Sequence, residues 1–164
     1  MQQIPIDPDE TAGELEARMA KLGAQLVLHV VGQMANGTSM PVTQDKTQAT
    51  KAPRLTKQMG QIDWTKSAQV IKNQVRALQP WPRAFTTWKR SDGEPLRLIV
   101  HRVTVFNADD SIAAGTVIQC DSDLVVATDA GSLRLDEVQP AGKRAMSAAD
   151  FLRGNSVQVG DLLE

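Results

Sequence analysis

Two histidines, His29 and His101, and one cysteine, Cys120, are the residues of this 164-residue chain best suited to nucleophilic or general acid-base chemistry. His29 falls near the apolar side of a helical repeat, where a histidine is expected to be structural. His101 lies between Val100 and Arg102 in a β-rich run and is expected to face outward, as a phosphate contact or as plain surface. Cys120 stands beside Asp121 and Asp123, whose carboxylates disfavour a reactive thiolate, so it reads as inert. Asp109-Asp110 and Asp121/Asp123 are paired carboxylates, but adjacent acids between strands are expected to form turns. The chain holds no glycine-rich phosphate loop, no G-x-S-x-G elbow and no H-E-x-x-H run. One cysteine excludes a disulfide framework, and two histidines with it do not make a zinc cluster.

Binding chemistry is better supported than catalysis, because charge is unevenly spread. The whole chain has 18 basic and 19 acidic residues, yet residues 43–104 carry 12 basic against 4 acidic side chains, a local net of +8. Residues 1–42 are at −3 and residues 105–164 at −6. A basic centre between two acidic flanks favours a polyanionic partner; the alternative is a solvated face that only confers solubility.

The elements that must hold these charges can be read from pattern. Thr11 and Glu14 form a capping box, and Leu15, Met19, Leu22, Leu26 and Val30 recur at helical spacing, with Gly23 expected to split the run into two helices and Asn36-Gly37 to end it. Such helices share little apolar surface between themselves, so this piece reads as the tail of something larger. Residues 38–60 are polar, contain Pro41 and Pro53, lack periodicity and are expected to be a linker. A further helix is expected from Ser67, with Val70, Ile71, Val75 and Leu78 as its apolar stripe and Pro80 and Pro82 ending it; Trp81, between those prolines, reads as a packing anchor.

After Arg83, AFTTWK, LRLIVHRVTVF, GTVIQC, LVVAT and SLRLDEV are separated by Ser91-Asp92-Gly93, Asp121-Ser122-Asp123 and Asp129-Ala130-Gly131. Five short strands at that spacing predict a small barrel or sandwich. Ser147 and Asp150 cap a last short helix, and residues 159–163 can add an extended stretch. No apolar run is long enough to cross a bilayer, and the acidic, proline-containing start does not resemble a signal peptide, so a reducing, cytoplasmic setting is expected.

The segments IDWTKSAQVIKNQVRALQPWPRAF (62–85) and LDEVQPAGKRAMSAADFLRG (135–154) resemble the methionyl-tRNA formyltransferase family. So do DETAGELEARMAKLGAQLVLHVVGQMANG and the linker motif APRLTK, so the resemblance covers nearly the whole chain in matching order. It implies an enzyme that formylates methionine on initiator tRNA with 10-formyltetrahydrofolate, built from a Rossmann-like catalytic domain and an OB-like, tRNA-gripping barrel. The implied fold class is mainly β with helices. Residues 1–37 correspond to two helices closing an α/β formyltransferase domain, 38–60 to a basic linker and 61–164 to the OB-like domain.

The family's folate site and its catalytic Asn, His and Asp lie upstream of these helices, so the resemblance implies no catalytic residue, bound cofactor or metal here and an inactive isolated chain. What it does imply is tRNA binding through Lys51, Arg54 and Lys57 of the linker, Arg76 of RAL-x-PWP and Lys143-Arg144 of the PAGK motif. Lys89 and Arg90, beside Trp88 on a hairpin rim, can add cation and stacking contacts. No membrane partner is implied, and residues 11–36 offer a surface for self-association. The rival readings are a stand-alone OB-like module binding RNA or a protein, and the barrel of another folate-linked formyltransferase.

Overall fold

Thr11 accepts from the Glu14 amide while Glu14 reaches back to the Thr11 amide at 2.8 Å, and this capping box opens α1, Ala12–Ala35. The computed structural model describes residues 2–90, 93–106 and 112–164; the expected turn at Ser91-Asp92 and the pair Asp109-Asp110 lie outside them. The chain divides into two units, residues 1–55 and 56–164.

In the first unit, α1 is one continuous helix rather than two. A mid-helix glycine costs only about 1 kcal/mol relative to alanine, too little to break a helix that is capped and otherwise regular. Asn36 caps it and Gly37, at φ +67, makes the turn away. No residue of α1 is buried; Val27, Leu28, Val31 and Met34 are exposed, and so is His29.

Residues 5–10 are tied back to α1 by Arg18, which donates to Glu10 at 2.9 and 2.7 Å and to the Pro5 carbonyl at 2.6 Å. The guanidinium holds the Glu10 carboxyl below its ordinary range. Because the folded-state value is depressed, the stabilisation is present above the unfolded value and is lost as pH falls through the folded one. Acidification from neutral pH should therefore loosen residues 5–10, read as faster amide exchange there, and Arg18→Ala should remove that pH dependence.

The second unit begins with a 3-10 turn, Lys57–Gly60, and continues through α2 (Ala68–Ala77), β1 (Ala84–Lys89), β2 (Leu96–Phe106), β3 (Val117–Gln119), β4 (Leu124–Ala127), β5 (Ser132–Pro140), β6 (Met146–Ser147), α3 (Ala148–Arg153) and β7 (Leu162–Leu163). All five expected strands are present, β7 falls within the extended stretch expected at 159–163, and β6 is an additional short strand. The sheet runs β3-β4-β5-β2-β1-β7, with β6 on β5, and every named pairing is antiparallel. A bridge from Thr116 to Leu162 brings β7 back toward β3 and nearly closes the sheet into a barrel, as the OB-like reading required. Gly115 makes this closure possible: at φ +86, a Cβ there would lie 2.5 Å from the Leu163 carbonyl oxygen.

The core follows the period-two pattern. Ala84, Thr86 and Trp88 point inward from β1, Leu98, Val100 and Val103 from β2, and Leu133, Leu135 and Val138 from β5. Ile71 and Val75 of α2 and its C-cap Leu78 are buried with them, but Val70 is 52% exposed, one helical step off the stripe expected for it. The two buried indoles are satisfied internally: Trp64 Nε1 donates to Thr86 Oγ1 at 3.0 Å, and Trp88 Nε1 to Asp161 Oδ2 at 2.9 Å. α3, capped by Ser147 as its S-x-x-D pattern predicts, sets Phe151 edge-on against Trp88.

Candidate nucleic-acid interface

The inward residues of β1, β2 and β5 leave a second set facing out. Register places Phe85 opposite Ile99, Thr87 opposite Arg97, and Ile99 opposite Gln139, so these side chains share the outer face of the three strands. Arg97, diagonal to Phe85, lays its guanidinium over that ring at 3.6 Å.

A register shift between β2 and β5 at Val100/Arg102 makes His101 an extra residue on its strand. Such a bulge re-aims the side chain it carries. His101 Nε2 lies 3.0 Å from Gln139 Oε1, and its carbonyl accepts from Gln79 Nε2. Gln139 also accepts from Arg83 at 3.4 Å and donates to the Lys143 carbonyl at 2.8 Å. One glutamine thus connects the bulge, the turn after α2 and the Gly142-containing loop that carries Lys143 and Arg144.

The eight expected site residues fall into two groups. Lys51, Arg54, Lys57, Lys143 and Arg144 are exposed. Lys57 opens the 3-10 turn whose end pairs Gln61 with Phe85, and that pairing depends on Gly60, where a Cβ would sit 2.2 Å from the Arg83 carbonyl oxygen. The other three are engaged by their own chain. Arg76 donates to Asn73 Oδ1 at 3.0 Å, Lys89 pairs with Glu164 at 2.5 Å, and Arg90 donates to the Glu94 carbonyl at 2.7 Å. Trp88 cannot offer the stacking surface expected beside Lys89 and Arg90, because alternation along β1 points it inward, where it is 3% exposed.

Sequence reasoning did not single out Arg83, Arg97 or Gln139. Alternation through AFTTWK and LRLIVHRV carried the signal for Arg97, since fixing Trp88 inward fixes its neighbours outward. Arg83 had no local signal; it adopts φ 71, held by its amide donating to the Leu78 carbonyl and its Nε to that of Pro80. Elsewhere on β5, Arg134 is bonded to Asp136 at 2.8 Å with Asp123 at 3.9 Å, which raises its pKa and occupies it structurally. Asp121 accepts from the Ser122 amide and from Gln119, so this acid serves the turn as expected and its pKa is lowered. Among the described residues no group of three or more His, Cys, Asp or Glu could hold a metal ion, and no helix is long and apolar enough to cross a membrane.

Within residues 56–164, exposed Lys57, Lys143 and Arg144, an aromatic ring covered by Arg97, and polar groups bonded through Gln139 supply chemistry that suits an anionic ligand. Residues 54–156 match the family described as formyl transferase, C-terminal domain. Curated methionyl-tRNA formyltransferases are similar over nearly the whole chain. The protein from Alkaliphilus oremlandii is 36% identical over 163 residues, 99% of this chain and 51% of that protein. The one from Solibacter usitatus is 42% identical over 158 residues, 96% of this chain and 49% of that protein. The chain therefore spans about half the length of the curated relatives it matches. Among solved structures, a HypX variant from Aquifex aeolicus has a TM-score of 0.60 at 13% identity, covering 91% of this chain and 27% of that one. HypX in complex with tetrahydrofolic acid has a TM-score of 0.52 at 14% identity, covering 78% and 22%. At those identities the likeness concerns the fold.

Proposed function

Since the chain belongs to the formyl transferase C-terminal domain family, we propose that it is the tRNA-binding part of a methionyl-tRNA formyltransferase. In this reading residues 1–37 are the helical end of a formyltransferase domain, 38–60 the linker and 61–164 the tRNA-gripping barrel. The ligand is initiator methionyl-tRNA and the setting is the cytoplasm, where initiation occurs.

The observation that carries the proposal is the exposure of Lys51, Arg54, Lys57, Lys143 and Arg144 in a protein whose net charge is only −1. Such cations follow a phosphate track and supply affinity without reading sequence. Lys89, Arg90 and Arg76 have a smaller part in this reading, because each already serves its own chain.

Formyl transfer and binding of 10-formyltetrahydrofolate belong to other residues of the enzyme. The cavity of about 440 Å³ beside Trp64 is lined by Asp63 and Glu164 and by no cation, a poor match for the carboxylates of a folate. The exposed apolar residues of α1, Val27, Leu28, Val31 and Met34, are the surface through which two copies would associate, and light scattering across a concentration series reads that directly.

Competition binding tests the main reading. Labelled initiator tRNA should bind in a salt-dependent manner and be displaced by unlabelled initiator tRNA at lower concentration than by bulk RNA. Equal displacement by bulk RNA would favour a general RNA-binding module, and turnover of methionyl-tRNA by the isolated chain would overturn the assignment of catalysis elsewhere.

A further inference from the structure

The protein has three tryptophans, and they differ in one respect that bears on binding. Trp64 and Trp88 are 4% and 3% exposed and spend their indole N–H groups inside the barrel. Trp81 is 52% exposed, so the packing role expected of it is not the one it has. Yet its backbone is firmly held. Pro80 and Pro82 fix φ on either side of it. The turn is closed by the Arg83 amide donating to the Leu78 carbonyl at 2.9 Å and is pinned to β2 by Gln79 donating to the His101 carbonyl.

An arginine holds the same turn. Arg83 Nε donates at 3.1 Å to the Pro80 carbonyl, the peptide group that leads into Trp81, and the same guanidinium reaches Gln139, whose amide holds the Lys143 carbonyl. The indole is thus carried on a turn anchored to β2 and to Arg83, and Gln139 joins the Lys143-Arg144 loop to the same network.

A half-exposed aromatic ring on a held turn, in a network that also holds a loop with exposed cations, has the parts that bind nucleotides without reading their sequence: cations hold phosphates and the ring stacks on a base. Preorganisation of the turn matters because ordering a mobile backbone on binding would consume part of the stacking gain. We propose that Trp81 is a stacking platform for an unpaired nucleobase of the bound RNA, with phosphates of the same strand left to the exposed Lys143 and Arg144. The base must be unpaired, since bases inside a duplex already have both faces stacked. This inference rests on the RNA-binding reading above and assigns that surface one specific contact.

Tryptophan fluorescence of the full chain tests it, because the other two indoles are buried. Four probes are titrated in turn: initiator tRNA, a short oligoadenylate, blunt duplex RNA, and heparin as a polyanion without bases. Initiator tRNA and oligoadenylate should quench the emission; duplex RNA and heparin should bind with little quenching; and Trp81→Phe should abolish the response while keeping most of the tRNA affinity. Trp81→Leu should weaken tRNA binding by about 5- to 150-fold, the range for one lost base stack, with the salt dependence unchanged because no phosphate contact is removed.

Binding of tRNA without quenching, equal quenching by heparin, or wild-type affinity in Trp81→Leu would each overturn the stacking site while leaving RNA binding intact. Absence of tRNA binding at low salt would overturn the underlying reading and this one with it. If Trp81→Leu proves unfolded by circular dichroism, the wild-type quenching series decides alone.

Discussion

Neutralising Lys51, Arg54, Lys57, Lys143 and Arg144 together is expected to flatten the salt dependence of tRNA binding by about 4.5 units of slope, about 0.9 for each phosphate contact removed. Between 50 mM and 200 mM salt, five such contacts correspond to about a 500-fold difference in lost affinity between the original protein and the variant. All five side chains are exposed, so their replacement by glutamine should leave folding intact, and the thermal midpoint provides the check. Filter binding or anisotropy across a salt series reads the slope directly. Neutralising Arg76, Lys89 and Arg90 in a parallel variant should change the slope by less, because Asn73, Glu164 and the Glu94 carbonyl already occupy those cations. Equal slopes in the two variants would mean that the exposed group has no special role.

Phe151→Ala should be the most damaging single truncation of the barrel, lowering its unfolding free energy by about 3–5 kcal/mol. Phe151 is completely buried, and its ring meets Trp88 edge-on with centroids 5.9 Å apart. Removing it leaves a cavity beneath α3 and strips Trp88 of an aromatic partner whose edge-to-face contact adds about 0.5–1.5 kcal/mol beyond area burial. Urea unfolding should show a lower midpoint with an unchanged slope, whereas Phe151→Leu, which keeps most of the volume, should cost less than about half as much. A loss under about 1 kcal/mol for the alanine variant would show that the region collapses around the gap and that α3 is not held by this ring.

Local physics made much of this architecture legible in the sequence. The capping box at Thr11 and the side-chain cap at Ser147 are short-range hydrogen bonds, and both helices start where the residue types placed them. The five main strands were visible as β-rich runs separated by turn-forming residues, both of which are local properties of the chain. The concentration of positive charge between residues 43 and 104 is likewise a property of the sequence, and it already pointed to a polyanion. A glycine in mid-helix was over-read, since the local penalty at Gly23 is smaller than the cooperativity of a 24-residue helix.

Which cations remain available to a ligand was decided only by the tertiary structure. Lys89 and Lys143 look alike in sequence, but β1 and the chain end are brought together across 75 residues, and Lys89 meets Glu164 there. Trp81 and Trp88 exchanged the roles expected of them because β1 turns every second side chain into the core, while the turn before it holds its indole outside. The network through Gln139 arises from a bulge at His101 and a positive φ at Arg83, neither of which has a residue-type signature. Periodicity along one strand states which side a residue faces. What it meets on that side depends on groups distant in sequence, whose positions are fixed only when the barrel closes.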